Sequence, residues 1–377
     1  MKIVNVNLVT ERGAEPGELC IESGKIAKTV SDTQVIDGKG ALALPGFIDL
    51  HVHGAMGADF NDGTEESLQT ITSFFAAHGT TSLLATTSTI PSEEIHRALE
   101  AVSGFMQKPC RDHARILGAH LEGPFFHPKA LGAQNPAYVQ MPSVEAFEKM
   151  TGEYGFLVKL IALAPELEGA EDFIRAMRQR GILAAVGHTT ADYETAKKAF
   201  DAGSTMLTHF FNAMTALKHR EPGVIGAAFE QKTLFTQLIC DFIHVHPAVL
   251  RIAIEQMGTE NIVAITDAMS GTGLGDGTYS LGGLDVFVKD GICRIAEGNL
   301  AGSTLTMDKA FCNLRSLGYS FADCVRFTSQ NAARALGLSH CKGKLLPGYD
   351  ADVVLMDAEG SVQMTLVDGN VVYQAEK

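Results

Sequence analysis

The stretch FIDLHVH, residues 47–53, is an apolar run that carries two histidines at its end. Side chains along a strand alternate between its two faces, so His51 and His53 point to one side while Leu50 and Val52 point to the other. A doubly wound open sheet would normally carry a glycine-rich phosphate-binding turn after its first strand. A His-x-His pair stands there instead, which favours a different α/β architecture.

Seven further apolar runs follow, and most are separated by helix-like segments such as EESLQTITSFFAAHG and PAVLRIAIEQMG. The runs are TSLLAT (81–86), RILGAHLE (115–122), LVKLIALA (157–164), ILAAVGH (182–188), MLTH (206–209), LFTQLICD (234–241) and IVAITD (262–267). Eight strands that alternate with helices over about 220 residues predict a (β/α)8 barrel of the TIM type.

Both ends of the chain have a different pattern from the middle. Short strand-like runs with glycine turns, such as IVNVNLV near the start and NVVYQA near the end, occupy residues 1–44 and 345–377. We therefore expect an α/β protein with two domains. A small β-sandwich domain is built from 1–44 and 345–377, and the barrel occupies 45–344.

Composition restricts the partners and the compartment. The net charge of −14 argues against nucleic acid or an anionic membrane surface as a partner. No apolar run reaches the roughly 20 residues that span a bilayer, and the N-terminal residues do not read as a signal peptide. The seven cysteines are scattered without a CxxC pair, which indicates a reducing cytoplasm and argues against a cysteine-based zinc site.

Metal-compatible side chains stand at the ends of several predicted strands. In a barrel of this type the active site lies at the carboxyl ends of the strands. Imidazoles and carboxylates both bind divalent metals of the zinc class. The residues in question are His51, His53, Glu122, His188, His209 and Asp267.

Each of these residues also has a structural explanation. His209, in the stretch LTHFFNAM (207–214), could be a hydrogen-bonded core histidine, and Asp267 could cap the helix that follows it. Glu122 could cap a turn. Six such coincidences at one end of one barrel are much harder to accept than any single one. We therefore interpret His209 as a metal ligand.

This set of side chains indicates hydrolytic chemistry. A metal site that keeps one position open lowers the pKa of a bound water and polarises a carbonyl. A free carboxylate beside that water can take its proton and pass it to a leaving amine. Asp267, from the strand that closes the barrel, fits this role. The expected reaction is hydrolysis of an amide or a related C–N bond.

Longer motifs connect the chain to a known family. PGFIDLHVHG and GYDADVVL are common across the amidohydrolase superfamily, and HLEGPF and THFFNAM…REPG are specific to one branch of it. With these motifs the chain resembles the amidohydrolase superfamily and, within it, the N-acetylglucosamine-6-phosphate deacetylases. The resemblance covers nearly the whole length.

The resemblance implies an activity and a set of site residues. The activity is hydrolysis of N-acetyl-D-glucosamine 6-phosphate to D-glucosamine 6-phosphate and acetate, in amino-sugar catabolism, by a cytoplasmic homodimer. Glu122, His188 and His209 would hold the principal divalent cation, which is Zn²⁺, Fe²⁺, Mn²⁺ or Co²⁺, and Asp267 would be the acid/base. The substrate would contact Ala133, Gln134, Asn212, Ala213, Arg220, His244, Leu300, Ala301 and Gly302.

Arg220 is the residue expected to recognise phosphate. Its guanidinium would present a planar fork to the phosphate oxygens. The alternative is a surface ion pair with Glu221.

Several alternatives stay open at this point. Many relatives carry histidine where this chain has Gln134, and some lack the His51-x-His53 pair, so the site holds one metal ion or two. The galactosamine epimer is the close alternative substrate, because the sequence does not show how one hydroxyl group of the sugar is oriented. A deaminase or a cyclic amidase on the same barrel would not need Arg220, and a barrel without catalytic activity would have no reason to keep the strand-end ligands.

Lys159 lies near the start of strand 4, which argues against the dihydroorotase and hydantoinase branch, where a carboxylated lysine often ends that strand.

Overall fold

A computed structural model describes residues 1–10, 12–31 and 34–376 of the chain. The chain begins with five strands: β1 (Lys2–Thr10), β2 (Gly13–Glu22), β3 (Lys25–Ala27), β4 (Val35–Asp37) and β5 (Leu42–Pro45). Strand β1 pairs antiparallel with β2 and parallel with both β4 and β5. The N-terminal region is therefore a mixed sheet, and β5 leads directly into the barrel.

The barrel strands lie where the apolar runs predict them. A two-stranded ribbon, β7 (Gly54–Ala55) and β8 (Ala58–Asp59), follows the first of them. The eight strands are β6 (Phe47–Val52), β9 (Thr80–Thr87), β10 (Arg115–Glu122), β11 (Val158–Leu163), β12 (Leu183–Val186), β13 (Met206–Leu207), β14 (Phe235–Ile239) and β15 (Ile262–Ile265). They pair in parallel in the order β6-β9-β10-β11-β12-β13-β14-β15.

Backbone hydrogen bonds join the first and last strands at their carboxyl ends. The amide of Asp267 donates to the carbonyl of His51 over 2.9 Å, and the amide of His53 donates to the carbonyl of Ala268 over 2.8 Å. The barrel is thus nearly closed, and it is closed at the end where the candidate site lies. This confirms the predicted TIM-type fold.

Helices connect the barrel strands and cover their outer face. They are α1 (Glu65–Ala77), α2 (Ser92–Met106), α3 (Val144–Thr151), α4 (Ala170–Gln179), α5 (Tyr193–Ala202), α6 (Gly223–Gln231), α7 (Pro247–Met257), α8 (Met307–Ser316), α9 (Phe321–Val325) and α10 (Asn331–Ala335). None of the helices in the described part of the chain has the length and apolarity needed to cross a membrane.

Local sequence explains where these helices begin and end, as α5 illustrates. The Asp192 side chain accepts a hydrogen bond from the amide of Thr195 and caps the first turn. Gly203 ends the helix in a left-handed conformation, with φ of +119°. Ala196 and Phe200, one turn apart, are buried, so the helix packs one apolar face on the barrel.

A small antiparallel sheet follows the last barrel strand and is not among the predicted elements. It consists of β16 (Gly277–Leu281), β17 (Leu284–Lys289) and β18 (Ile292–Arg294). Along β17 the side chains alternate, with Val286 and Val288 buried and their neighbours exposed. The buried face packs on Met269 and Ala301, so this hairpin sheet lies against the segments that flank the candidate site.

The chain ends with β19 (Val353–Met356), β20 (Val362–Val367) and β21 (Asn370–Gln374). Strand β19 pairs antiparallel with β5, so both ends of the chain form one sheet in the order β21-β20-β19-β5-β1-β2-β3. Side chains from both parts, including Ile3, Leu19, Val353 and Leu366, form a core separate from that of the barrel. This confirms a separate β domain, and 1–44 and 345–377 remain our proposed limits for it.

Candidate metal centre and substrate cavity

Six imidazole and carboxylate side chains converge at the carboxyl end of the barrel. Glu122 ends β10, His51 and His53 lie at the end of β6, and the others directly follow β12, β13 and β15. All six are buried: His51, His53, Glu122, His188, His209 and Asp267. The structure therefore brings together all the strand-end residues that the sequence indicates.

Three of these residues have an unusual backbone. The φ angle is +47° at His188, +27° at His209 and +51° at Asp267. Residues other than glycine rarely adopt this left-handed region, and those that do cluster at functional sites. The backbone turns sharply at each of these strand ends.

One group of ligand atoms surrounds a single carboxylate oxygen. Oε1 of Glu122 lies 3.2 Å from Nε2 of His188 and 3.1 Å from Nε2 of His209, and these two nitrogens are 2.9 Å apart. One ligand atom from each of the three residues can be chosen so that all lie within 4.8 Å of one another. This is the spacing expected of side chains that share one metal ion.

A second group lies beside the first. Oδ1 of Asp267 lies 3.4 Å from Nε2 of His51 and 3.3 Å from Nε2 of His53. Oε2 of Glu122 is 3.2 Å from the same nitrogen of His53. Glu122 thus stands between the two groups, as it must if one carboxylate is to serve both.

The hydrogen bonds of the imidazoles orient them toward this centre. Nδ1 of His51 lies 3.1 Å from Oε1 of Gln237, and Nδ1 of His188 lies 3.0 Å from the carbonyl of Ala130. Carbonyl oxygens only accept hydrogen bonds, so each Nδ1 carries the proton and each Nε2 presents its lone pair. Nδ1 of His209 is buried and has no hydrogen-bond partner within the described residues.

Both carboxylates favour the ionised form. Burial alone would raise the pKa of Glu122, but His51, His188 and His209 outweigh it and hold that pKa well below its ordinary value. Burial likewise opposes ionisation of Asp267, but His51 and His53 lower its pKa. Two carboxylates and four imidazole nitrogens form a donor set that suits a first-row divalent cation.

Gln134 is tied to this centre by both ends of its amide. Its Nε2 donates a hydrogen bond to Oε2 of Glu122 over 2.5 Å, and its Oε1 accepts one from the amide of Thr89 over 2.7 Å. The side chain is buried. Gln134 therefore contacts a candidate metal ligand as well as the space where a substrate would lie.

A cavity of about 390 Å³ opens above the metal centre. Twelve of the residues singled out from the sequence line it: His53, Glu122, Ala133, Gln134, His188, His209, Asn212, Ala213, His244, Asp267, Leu300 and Gly302. The lining also includes residues that the sequence did not indicate: Lys129, Ala130, Gly132, Leu281 and Asn299.

Three predicted residues do not line the cavity. His51 is fully buried among the other ligands, and Ala301 is buried in the core of the hairpin sheet. Arg220 is exposed on the segment between β13 and α6. The predicted alternative, a surface ion pair between Arg220 and Glu221, is not formed. Glu221 pairs with Lys218 instead, over 2.9 Å.

The residues missed by sequence reasoning had different kinds of signal. Leu281 lies in the hairpin sheet, whose alternating pattern in LDVFVK (284–289) could have been recognised as a strand. Lys129 lies within the motif HLEGPFFHPKALGAQNP, but nothing local in that motif indicates that its side chain reaches the cavity.

Comparison with known proteins gives a consistent result. The family model described as "Amidohydrolase family" matches residues 42–372. The chain is 36% identical to an N-acetylglucosamine-6-phosphate deacetylase of Bacillus subtilis (strain 168), with 98% of this chain and 96% of that protein covered. It is 37% identical to an N-acetylgalactosamine-6-phosphate deacetylase of Escherichia coli O157:H7, with 97% of each covered.

Solved structures show the same similarity. A mutant N-acetyl-D-glucosamine-6-phosphate deacetylase from Mycobacterium smegmatis, in complex with N-acetyl-D-glucosamine-6-phosphate, matches with a TM-score of 0.92 and 32% identity over 99% of both chains. The N-acetylglucosamine-6-phosphate deacetylase from Thermotoga maritima matches with a TM-score of 0.90 and 32% identity over 100% of both. A D-hydantoinase from a Bacillus species, at 15% identity and a TM-score of 0.61, shares the fold alone.

Proposed function

The chain belongs to the amidohydrolase family, and we propose that it is a metal-dependent N-acetylglucosamine-6-phosphate deacetylase. The reaction is hydrolysis of the N-acetyl amide of N-acetyl-D-glucosamine 6-phosphate, which gives D-glucosamine 6-phosphate and acetate in amino-sugar catabolism. The observation that carries the proposal is the convergence of six buried metal-compatible side chains beneath the cavity. The chain is also similar to deacetylases over nearly its full length.

Glu122, His188 and His209 would hold the principal cation, which we propose to be Zn²⁺, or else Fe²⁺, Mn²⁺ or Co²⁺. When bound, such a cation polarises a carbonyl and lowers the pKa of a coordinated water. His51 and His53, together with Glu122, would hold a second ion, so that each chain binds one or two. Two observations support this assignment. The Nε2 atoms of His51 and His188 carry lone pairs, because the ring proton is on Nδ1, and Glu122 lies between the two groups of ligands.

Asp267 would move the proton. Its carboxylate takes a proton from the attacking water and delivers it to the amide nitrogen as the C–N bond breaks. The amide of Ser303 donates to the carbonyl of Asp267 over 2.7 Å, which fixes this turn. Gly302 has φ of +61°, and a Cβ atom there would lie 3.0 Å from the carbonyl oxygen of Asp267, so glycine permits this close approach.

The other predicted contacts would orient the sugar. Nδ1 of His244 lies 2.7 Å from Oδ2 of Asp241, a contact that orients the ring. Asn212 donates from Nδ2 to the carbonyl of His209 over 3.0 Å, so it is fixed relative to a metal ligand. We propose that these residues bind the substrate together with Ala133, Gln134, Ala213, Leu300 and Gly302, which also line the cavity, and with Arg220 and Ala301, which lie outside its lining.

The same chemistry on the galactosamine epimer is the second candidate. The relative from Escherichia coli O157:H7, named for that epimer, is 37% identical to this chain. The two substrates differ in the orientation of one hydroxyl group, so the metal centre would treat their N-acetyl groups alike. A deaminase or cyclic amidase is a third candidate, distinguished by activity that does not depend on a phosphate.

We also propose that the protein works as a cytoplasmic homodimer on small amino-sugar phosphates, without nucleic acid or membrane partners. The net charge of −14 supports the absence of nucleic acid and membrane partners. All seven cysteines are free thiols, which suits a reducing compartment.

Acetate release from the two epimeric 6-phosphates, with and without a chelator, tests the proposed function. We expect acetate from N-acetyl-D-glucosamine 6-phosphate, loss of activity with the chelator, and recovery when Zn²⁺ is added. Faster release from the galactosamine epimer would support the second candidate. Acetate release that a chelator does not affect, or none from either sugar, would contradict the proposal.

A further inference from the structure

Strand β11 supplies none of the six metal-compatible side chains, but the loop that follows it carries a carboxylate bonded to the neighbouring strand end. We propose that Glu166, on this loop, is a positioning residue that holds the turn after β12 so that His188 faces the metal centre, and that it thereby raises the affinity of the protein for the metal. This inference rests on the proposed function, since it concerns the same metal centre.

The Glu166 carboxylate accepts three hydrogen bonds from the two residues that directly follow His188. Its Oε2 accepts one from the hydroxyl of Thr189 over 2.5 Å. Its Oε1 accepts one from the amide of Thr190 over 2.5 Å and another from the hydroxyl of Thr190 over 3.1 Å. Hydrogen bonds to an ionised carboxylate are stronger than those between neutral groups. Glu166 therefore restrains both the backbone and the side chains of this turn.

The turn needs this support because its backbone is strained. Strand β12 ends at Val186, and His188, two residues later, has φ of +47°. A residue other than glycine keeps such a conformation only where the surrounding structure imposes it. The hydroxyl of Thr189 also accepts a hydrogen bond from the amide of Ala191 over 2.9 Å. The contact with Glu166 thus extends through the turn toward the start of α5.

The other contacts of this turn come from main-chain groups of neighbouring loops. The carbonyl of His188 accepts a hydrogen bond from the amide of His127 over 3.1 Å, and the amide of Thr189 donates to the carbonyl of Ala213 over 3.0 Å. A substitution leaves such main-chain groups in place. Glu166, by contrast, holds the turn with a half-buried side chain. Its replacement therefore removes the contact and leaves the core of the barrel intact.

Glu166 acts on the metal centre through His188. Neither Glu166 nor the two threonines, Thr189 and Thr190, line the cavity, so none of them is placed to touch a substrate there. Nε2 of His188 lies 3.2 Å from Oε1 of Glu122, and this geometry depends on the backbone from which the imidazole projects. Groups that orient metal ligands typically contribute about 10- to 100-fold to metal affinity.

The experiment titrates the metal-free protein with Zn²⁺ and compares Glu166→Ala, Glu166→Gln and the matched control Glu168→Ala. Glu168 is an exposed carboxylate two residues further along the same loop. We expect Glu166→Ala to bind Zn²⁺ about 10- to 100-fold more weakly than the wild type. Glu166→Gln should recover most of this loss, because the amide oxygen can still accept hydrogen bonds from Thr190. The control should match the wild type.

Two further measurements separate a positioning role from a general structural one. Thermal unfolding of the metal-free proteins reports on the fold without the metal, and we expect Glu166→Ala to unfold close to the wild type. Acetate release is then measured at increasing Zn²⁺. Glu166→Ala should need more Zn²⁺ to reach half of its full rate but approach the wild-type kcat at saturation, because Glu166 touches neither the substrate nor the reacting atoms.

Two results would overturn the inference. The first is an equal Zn²⁺ affinity for Glu166→Ala and the wild type. The second is a weaker affinity that Glu166→Gln does not recover, together with a large fall in the unfolding temperature of metal-free Glu166→Ala, which would give Glu166 a general structural role. A wild type that binds Zn²⁺ but releases no acetate from either sugar would contradict the proposed function instead, and the titration would still decide the role of Glu166.

Discussion

Nε2 of Gln134 donates a 2.5 Å hydrogen bond to Oε2 of Glu122, while Oε1 of the same carboxylate faces His188 and His209. The amide of Thr89, just beyond β9, holds the other end of the Gln134 side chain over 2.7 Å. Gln134 therefore couples the end of one barrel strand to the orientation of a carboxylate on the next strand.

Gln134→Ala should weaken metal binding. Residues that hydrogen-bond to metal ligands typically contribute 10- to 100-fold to metal affinity, so we expect a loss of about that size. The measurement is a titration of the metal-free protein with Zn²⁺. Gln140→Ala is the control, because Gln140 bonds to Ser92 and does not line the cavity. Equal Zn²⁺ affinities for both variants would show that Gln134 does not orient Glu122.

Removal of a ligand should remove metal and activity together. His209 is 4% exposed and lies within 3.1 Å of Glu122, so His209→Ala should lose most of the bound metal as well as the turnover. His219→Ala, an exposed histidine outside the cavity, should behave like the wild type. Metal content by elemental analysis is the readout. A folded His209→Ala protein with full metal and normal turnover would contradict the ligand assignment.

The strand ends were predictable because local patterns determine them. Eight apolar runs predicted the barrel strands, and the histidine or acidic ends of six of them predicted the convergence of Glu122, His188 and His209, since parallel strands of one barrel share a carboxyl edge. Even β13, with only the two residues Met206–Leu207, was identified by the run MLTH. The left-handed turns at three of these ends were not predictable, because each depends on the packing around it.

The His51 and His53 pair tests the second metal. Both nitrogens lie within 3.4 Å of Asp267, and Glu122 stands between the two groups. If two ions act together, His51→Asn/His53→Asn should lose orders of magnitude in rate, and the wild type should need two equivalents of metal for full activity. The measurement is activity against metal added to the metal-free protein. A double variant that binds one ion and keeps near-normal kcat would show that this pair is not catalytic.

A buried ion pair in the C-terminal region gives a test of stability. Nζ of Lys342 lies 2.5 Å from Asp352 and 3.0 Å from Asp350, and the Lys342 side chain is 6% exposed. Lys342→Met leaves Asp352 buried without its cation, so the free energy of unfolding should fall by about 3–5 kcal/mol. Urea denaturation measures this change. Lys218→Met, which breaks an exposed pair, should cost about 1 kcal/mol or less. Similar costs for both variants would contradict the expectation.

The composition of the cavity was less predictable than the metal centre. Lys129 reaches the lining because the loop at 127–130 is bonded to His188, which lies 58 residues beyond Ala130 in the chain, and no local pattern contains that relationship. Arg220, by contrast, was expected from a motif and lies outside the lining. The hairpin sheet that places Leu281 at the cavity shows the alternation of an ordinary strand along Leu284–Lys289, so its presence is predictable from local sequence.

The most direct test of the account is acetate release by Asp267→Asn compared with the wild type, on N-acetyl-D-glucosamine 6-phosphate and with bound metal measured in both. The substitution is nearly isosteric but removes the carboxylate that would accept and deliver the proton. We predict that folding and most of the bound metal survive while kcat falls by about 10²–10⁴-fold. A metal-loaded Asp267→Asn protein that retains more than about a tenth of the wild-type kcat would contradict the assignment of Asp267 as the acid/base.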